Sequence, residues 1–395
     1  MTPPRNHSFD NLRALMVLCI VLLHAACAYA AIIPWWHARD AQAPVFDILI
    51  LLIDTFALPV LFFVAGVFAT PSLDRNGTAG FLKAKSQRLG IPLLALPIIY
   101  LPTMVYLGYL HRTETPLTFF RYWMHWISTF TDWGFVVIAD MQQGAHYADA
   151  VSPHHLWFLS LLLLFFLAYA GCRRLFRFRP NFHSLKPLIL LAIMIPALGF
   201  AAINLLVPDW AWARFGPFLL FQPTRLPLYA GIFVFGVLAR PHVDSPRPFP
   251  GTTWLWLLLF LSAQAAMLAL VPTFMTTPSS PLGYAAIHGL LRAVMAVSAT
   301  ALAVNLTRRF LAGPSPWRES LSKASYTIYI WHMPLVVYAQ AVLLHMPLPL
   351  WVKAATAFTV PVTICWGISQ AEGTRSRLLQ LGLASACFFG FLIFI

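Results

Sequence analysis

The chain has 395 residues, of which 59% are hydrophobic and 10% charged, against about 25% charged in an ordinary soluble domain. That balance excludes a soluble globular enzyme and identifies a polytopic membrane protein. The net charge of +13 reads as a topology signal and a surface for an anionic donor, and gives no reason to invoke nucleic acid.

Apolar runs near residues 12–33, 45–70, 89–110, 155–172, 187–207, 218–239, 252–272, 284–306, 324–345 and 350–368 are each long enough to cross a bilayer. They predict an all-α protein of about ten transmembrane helices. An eleventh run, 378–395, is short, contains Gly382 and Gly390, and either spans or lies in the interface. The first run is too long for a signal-peptide core and is read as a retained span. No internal repeat is evident, so residues 1–395 are taken as a single membrane domain with its core near 8–370. The cysteines, Cys19, Cys27, Cys172, Cys365 and Cys387, lie in or beside apolar segments without disulfide or zinc spacing. They are small apolar packing residues, and no metal site is expected.

The first span opens with Asp10-Asn11-Leu12-Arg13 and carries His24. Arg13 and His24 share one helix face about 16 Å apart, and Asp10 falls within about 40° of His24. An ionisable group in hydrocarbon is costly unless paired or facing a polar cavity, which makes His24 a functional candidate beside the alternative of a helix-packing histidine. In the second span Asp54 lies on one face with Asp47, and in the eighth Arg292 is deeply placed. With Arg225 and Gln222 near the outer end of the sixth, these charges either pair with one another or contact a substrate. The loop from about His111 to Ser152 mixes Arg112, Glu114, Arg121, Asp132, Asp140 and Asp149 with Tyr122, Trp123, Trp126, Trp133 and Tyr147. Such a mixture suits a sugar, whose ring face stacks on aromatics, or an interfacial helix with an aromatic belt. His154 and His155 open the fourth span from that side. Late in the chain His332 lies about 14 Å deep counting from Lys323, a depth similar to that of His24. Ser325, Tyr329 and His332 share one stripe of that helix.

An N-terminus on the inner side gathers most basic residues there, including Arg5, Arg13, Arg75, Lys83, Arg88, Arg173, Arg174, Arg177, Arg179, Lys186, Arg247, Arg308, Arg375 and Arg377. By the positive-inside rule the N-terminus is cytoplasmic, in what would be a bacterial inner (plasma) membrane.

Several segments occur together and in order. They are Asp10-Asn11-Leu12-Arg13 with ten residues to His24, Leu61-Phe62-Phe63-Val64-Ala65-Gly66-Val67-Phe68, Gln87-Arg88-Leu89-Gly90-Ile91-Pro92, His155-Leu156-Trp157-Phe158-Leu159, and Ala324-Ser325-Tyr326-Thr327-Ile328-Tyr329-Ile330-Trp331-His332-Met333-Pro334. On these the chain resembles membrane-bound acyltransferase family 3, and most nearly its glucans biosynthesis protein C type branch of succinyltransferases. The resemblance implies O-acyl transfer across the membrane, from cytoplasmic acyl-CoA to a carbohydrate hydroxyl on the outer side. It implies no bound cofactor, acyl-CoA being the donor substrate. The family's catalytic histidine matches His24 and its paired arginine Arg13. His332 joins them as orienter, oxyanion donor or helix-packing residue.

Chemistry at the level of residues agrees. Imidazole titrates near neutrality and suits a general base, or itself carries the acyl group in a two-step route. Arg13 at the inner mouth can fork two phosphate oxygens of CoA or pair locally with Asp10. Asp10, Tyr329, Ser325, Trp157, His155, Asp54 and Arg292 complete the candidate substrate-binding set. Ala57 stands where the glucan branch usually has an arginine, which leaves acetyl and succinyl equally open as the group transferred. Expected partners are acyl-CoA, a glucan, polysaccharide or glycolipid acceptor, and membrane lipid, with homo-oligomerisation left open. The alternative from another class is a transporter or flippase that uses His24, Asp54, Arg292 and His332 as a polar pathway, which predicts inverted repeats and paired helix breaks.

Overall fold

Proline and glycine at the ends of the apolar runs decide where helices begin and break. The protein, seen in a computed structural model, is described over residues 7–139, 150–176, 182, 184–245, 248–276, 281–371 and at 379, 380 and 382. Arg5, Asp140, Tyr147, Asp149, Arg177, Arg179, Arg247, Arg375, Arg377, Cys387 and nearly all of 378–395 lie outside the described residues.

In chain order the helices are α1 (His7–Ala26), α2 (Pro44–Asp54), α3 (Ala57–Lys85), α4 (Ile91–Ile99), α5 (Leu101–Arg112), α6 (Phe119–Ser128) and α7 (Trp157–Phe176). They continue as α8 (Leu185–Asn204), α9 (Leu226–Ala239), α10 (Thr253–Thr276), α11 (Leu282–Phe310), α12 (Pro316–Leu344) and α13 (Leu350–Gln370). Among the described residues eight helical stretches are long and apolar enough to cross a membrane, and Pro223–Ala239 forms a shorter apolar one. The all-α polytopic expectation therefore holds. The second run and the start of the third fall in one apolar stretch, Pro44–Ile98, which kinks at Gly77 (φ 63°) and passes through a π-type turn at Ser86–Gly90.

One expectation is corrected. The sixth run does not begin as a helix at 218, since Leu219–Phe221 forms a strand and α9 starts at Leu226. An apolar run bounded by proline, here Pro217 and Pro223, carries no periodicity that separates strand from helix. The strand belongs to an antiparallel sheet in the order β1 (Phe135–Ile138), β2 (Trp212–Phe215), β3 (Leu219–Phe221), with Val136 opposite Arg214 and Ala213 opposite Phe221. Asp132 accepts from Arg214 at 2.5 Å and ties the polar loop to this sheet. Of the aromatics in that loop, two lie in the core. Tyr122 and Trp126 are fully buried, and Trp126 and Trp123 donate through Nε1 to Pro97 O and Ile98 O at 2.9 and 3.2 Å. The break between α4 and α5, with Pro102 lacking an N–H, leaves those carbonyls without helical partners, and the indoles take them. Trp133 remains half exposed beside Phe215 and Phe218.

The main apolar cluster draws on α1, α3, α4, α5, α7, α9 and α12 among others, with two smaller clusters beside it. Within it α3 and α9 meet through paired glycines: a Cβ on Gly66 would strike the Phe233 carbonyl, and one on Gly236 the Phe63 carbonyl. Small residues let membrane helices approach at backbone distance. Gly66→Ala is expected to cost about 1–3 kcal/mol through overpacking, read as a lowered thermal midpoint. Gly283→Ala, where a Cβ meets nothing within 4 Å, should leave the midpoint unchanged.

The segment between α1 and α2 folds back over the bundle. Lys353 Nζ donates to Asp40 at 2.6 Å and Trp36 Nε1 to Gln340 Oε1 at 2.7 Å, which pins the segment to α13 and α12. This places an aromatic over the end of α1.

Candidate active site

α1 and α12 pack side by side and bring His24 and His332 together, with His24 Nδ1 2.9 Å from His332 Nε2 and ring centroids 5.1 Å apart. The hydrogen-bond network sets the tautomers. His332 Nδ1 faces only carbonyl oxygens, Ile328 O at 3.0 Å and Tyr329 O at 2.8 Å, so Nδ1 carries the proton. Its Nε2 is then an acceptor, His24 Nδ1–H donates to it, and the lone pair of His24 is left on Nε2. His332 is 0% exposed, whereas His24 is half-buried. One imidazole is therefore held and the other presented.

Pro334 arranges the third imidazole. Lacking an N–H, it releases the carbonyl of Ile330 from the helix ladder, and Ile330 O accepts instead from Tyr100 Oη at 2.7 Å and from His155 Nε2 at 3.3 Å. His155 Nδ1 is left buried without a partner, in a ring 5.5 Å from that of His332. Tyr329 Oη donates to His155 O at 2.8 Å, which stitches α12 to the start of α7.

Towards the N-terminal end of α1, Arg13 donates to Asp10 at 3.1 Å, the local pair anticipated from spacing. Arg13 also lines a cleft of about 230 Å³ together with Lys85, Arg88, Phe158, Ser325, Tyr326 and Tyr329. Three cations stand at this cleft, and Tyr329, in its wall, has its ring 5.9 Å from that of His332. A larger crevice of about 450 Å³ between α3, α7 and α9 is lined by none of these residues.

A profile of the acyltransferase domain family, acyltransferase 3, matches residues 6–370. The chain belongs to this family. Similar proteins include the glucans biosynthesis protein C of Salmonella schwarzengrund, 24% identical over 260 residues, and that of Salmonella typhi, 25% identical over 260 residues. Each match covers 62% of this chain and 61% of the relative, so the aligned part spans about three fifths of either protein. No solved structure matches the chain significantly.

The structure thus groups His24, His332, His155 and Tyr329, with Arg13 and Ser325 at the cleft and Asp10 paired to Arg13. Ser325 bonds to Ser322 O at 2.7 Å while lining that cleft. Trp157 packs instead on Trp212 of the sheet and on Tyr229. Asp54 and Arg292 form a separate network. Arg225 reaches both Asp54 oxygens at 2.7 and 2.8 Å and Asp209 at 3.0 Å, while Arg292 donates to Asp54 at 3.1 Å and to Asp209. Thr224 and His288 complete the shell of Asp209 at 3.1 and 3.5 Å. Burial works to raise the Asp209 carboxyl, but Arg225 and Arg292 outweigh it and hold the group well below the usual carboxylate range. Two carboxylates alternate with two guanidiniums here, and the charges satisfy one another.

Sequence reasoning missed Trp36, Gln340, Asp209 and His288. Trp36 stacks on His24 with centroids 5.8 Å apart, and Gln340 Nε2 donates to His24 O and Ala25 O at 3.0 and 3.1 Å. Gln340 is a lone amide in an apolar run, a usable signal for an interhelical bond. Asp209 is one of only 13 acidic residues, which marks each as a candidate partner for a buried arginine.

Proposed function

We propose that this acyltransferase moves an acyl group, acetyl or succinyl, from cytoplasmic acyl-CoA to a carbohydrate hydroxyl on the periplasmic side, with His24 as general base. The observation that carries the reading is the direct His24–His332 bond, which leaves the lone pair of His24 on Nε2, the nitrogen that does not face His332. In this scheme His24 Nε2 takes the proton of the acceptor hydroxyl as its oxygen attacks the thioester carbon. The tetrahedral adduct collapses with cleavage of the C–S bond, and the imidazolium returns its proton to the departing thiolate. The products are an ester and CoA thiol. His332 Nε2 accepts from His24 Nδ1–H throughout and stabilises the transient positive charge, which makes it a positioning residue.

The donor enters at the cleft on the N-terminal side, where Arg13, Lys85 and Arg88 meet the phosphates of CoA. This assigns that face to the cytoplasm, consistent with the positive-inside distribution of basic residues. The Salmonella relatives are named for glucan biosynthesis, and a glucan is accordingly the first acceptor to try. His155, with its unpartnered Nδ1, is the residue placed to receive an acceptor hydroxyl.

Purified protein in lipid nanodiscs, offered acetyl-CoA and succinyl-CoA with a panel of glycans, tests the reading by release of CoA thiol. Acceptor-dependent release identifies both substrates together. Absence of acyl-CoA binding overturns it in favour of a transporter. Arg13→Gln is expected to raise KM for acyl-CoA about tenfold, or about 1.4 kcal/mol, with a smaller change in kcat, because the lost contact is to a part of the donor that does not react.

A further inference from the structure

His24 lies two residues before the end of α1, and the chain beyond it turns back over that end of the bundle. Several tethers hold the returning segment. Asp40 N and Ala43 N donate to Ala28 O and Tyr29 O at 3.0 Å each, which folds the segment on itself. Asp47, in the first turn of α2, accepts from Ile32 N at 3.0 Å. Lys353 of α13, only 4% exposed, donates to Asp40 at 2.6 Å. A buried cation holds its counter-ion firmly, because losing it leaves the charge uncompensated, so the segment is not free to drift.

These tethers give Trp36 a fixed place. Its ring is 5.8 Å from that of His24 and nearly parallel to it, at 17°. Its Nε1 donates to Gln340 Oε1, and the same amide, 1% exposed, donates to the carbonyls of His24 and Ala25. Trp36 therefore meets the ring of His24 directly and its backbone through one side chain. It also packs on both the main apolar cluster and the smaller one around Tyr29, Phe46 and Ile50.

His24 Nδ1 is already bonded to His332, so the indole is not needed to set the tautomer. Its location suggests a different task. Trp36 lies at the end of α1 opposite to Arg13 and its cleft, which is the side from which the acceptor comes. Water offers the same O–H as a sugar, and a base with an open lone pair takes a proton from either. A donor held beside His24 is then hydrolysed unless water is kept out.

We infer that Trp36 is the outer cover of His24, a specificity-determining residue that keeps water from the base and yields to an acceptor able to stack on the indole. The ring face of a carbohydrate has that property and water does not, so binding of the acceptor supplies the energy that opens the site. The covering itself stands on geometry, and its consequence for the reaction rests on the acyl-transfer reading. In the side reaction that the cover suppresses, the water oxygen attacks the thioester carbon while His24 Nε2 takes a proton. The C–S bond breaks and the thiolate is reprotonated, which gives a carboxylic acid and CoA thiol.

Two measurements on the full chain in nanodiscs test this. Diethyl pyrocarbonate, which acylates unprotonated imidazole, is added first, and its modification of His24 is followed by peptide mass spectrometry. Both faces are open to the reagent, so the wild type gives the rate through the Arg13 cleft. Trp36→Ala should raise the His24 rate about tenfold by opening the second face. Lys353→Met, which frees the segment without touching the site, should raise it less, and Trp36→Phe least. Trp133→Ala, half exposed beside the sheet, should leave it unchanged. In the second measurement, release of CoA thiol and free acid from acyl-CoA without acceptor should rise about tenfold in Trp36→Ala and return toward the wild-type rate in Trp36→Phe. A labelling rate unchanged in folded Trp36→Ala or, where that variant does not fold, in Lys353→Met overturns the cover. Faster labelling with transfer intact and no gain in hydrolysis overturns the specificity role. Faster labelling in a protein that releases no CoA with any donor and acceptor leaves the cover standing and removes the acyl-transfer reading.

Discussion

Replacing His24 by Ala is expected to reduce acyl transfer by about 10²–10⁴-fold, the range that general acid–base catalysis supplies, while the protein remains folded and still binds acyl-CoA. The change removes the lone pair that the hydrogen-bond network leaves on His24 Nε2. His332, although the change frees its Nε2 lone pair, is fully buried and so is not presented to the acceptor hydroxyl. His332→Ala should act differently. With the acceptor for His24 Nδ1–H gone, the His24 ring loses its preferred tautomer and orientation, so kcat falls and the pH profile of the reaction shifts while KM changes little. CoA thiol release and equilibrium binding of acyl-CoA, measured on the same preparations, separate the two roles. Full activity in His24→Ala would remove the base assignment, and an unchanged pH profile in His332→Ala would reduce that residue to helix packing.

The second large effect concerns stability. Asp209→Asn is expected to destabilise the protein by about 3–5 kcal/mol, the cost of breaking a buried ion pair from one side. Arg225 and Arg292, with side chains 9% and 8% exposed, would keep only the Asp54 carboxylate between them. Because the Asp209 carboxyl is held well below its ordinary value, its contribution is fully present above the carboxylate range. It is lost only as pH falls through the depressed folded-state value. The wild-type network should thus survive mild acid. Thermal unfolding of Asp209→Asn at neutral pH gives the comparison, with Asp244→Asn as control, since the Asp244–Arg240 pair at 2.5 Å is largely exposed and worth little. Equal midpoints for the two variants would show that the network bears no stability.

His24 and His332 were recognisable as one-dimensional features because each is an ionisable residue within an apolar run, at similar depth from the same end. Helical periodicity and length also carried most of the fold, since a backbone in a bilayer must satisfy its own hydrogen bonds locally. The Arg13–Asp10 pair was legible for the same reason, as its partners are three residues apart on one helix. Where locality ends, so does legibility. The strand at Phe135 pairs with that at Trp212 across more than seventy residues of chain, and no local pattern in the apolar tripeptide Leu219–Phe221, which pairs on the other side of Trp212, distinguishes a strand from a helix turn.

The same limit divides the site. That Asp54 and Arg292 carry charge in apolar surroundings is a property of the sequence. That they belong to a closed network with Asp209 and Arg225, apart from the histidines, was decided by the packing of α2, α9 and α11. Pro334 is plain in the sequence as a helix interruption, but the carbonyl it frees gains meaning only when α7 brings His155 against it. Gln340 reaches His24 from a segment remote in the chain, and Trp36 does so only because the segment after α1 folds back. Residue types and their local spacing determined which groups can ionise, span or break a helix. Only long-range packing decided which of those groups touch, because contact energies depend on distances that a linear chain leaves unspecified until its helices are stacked.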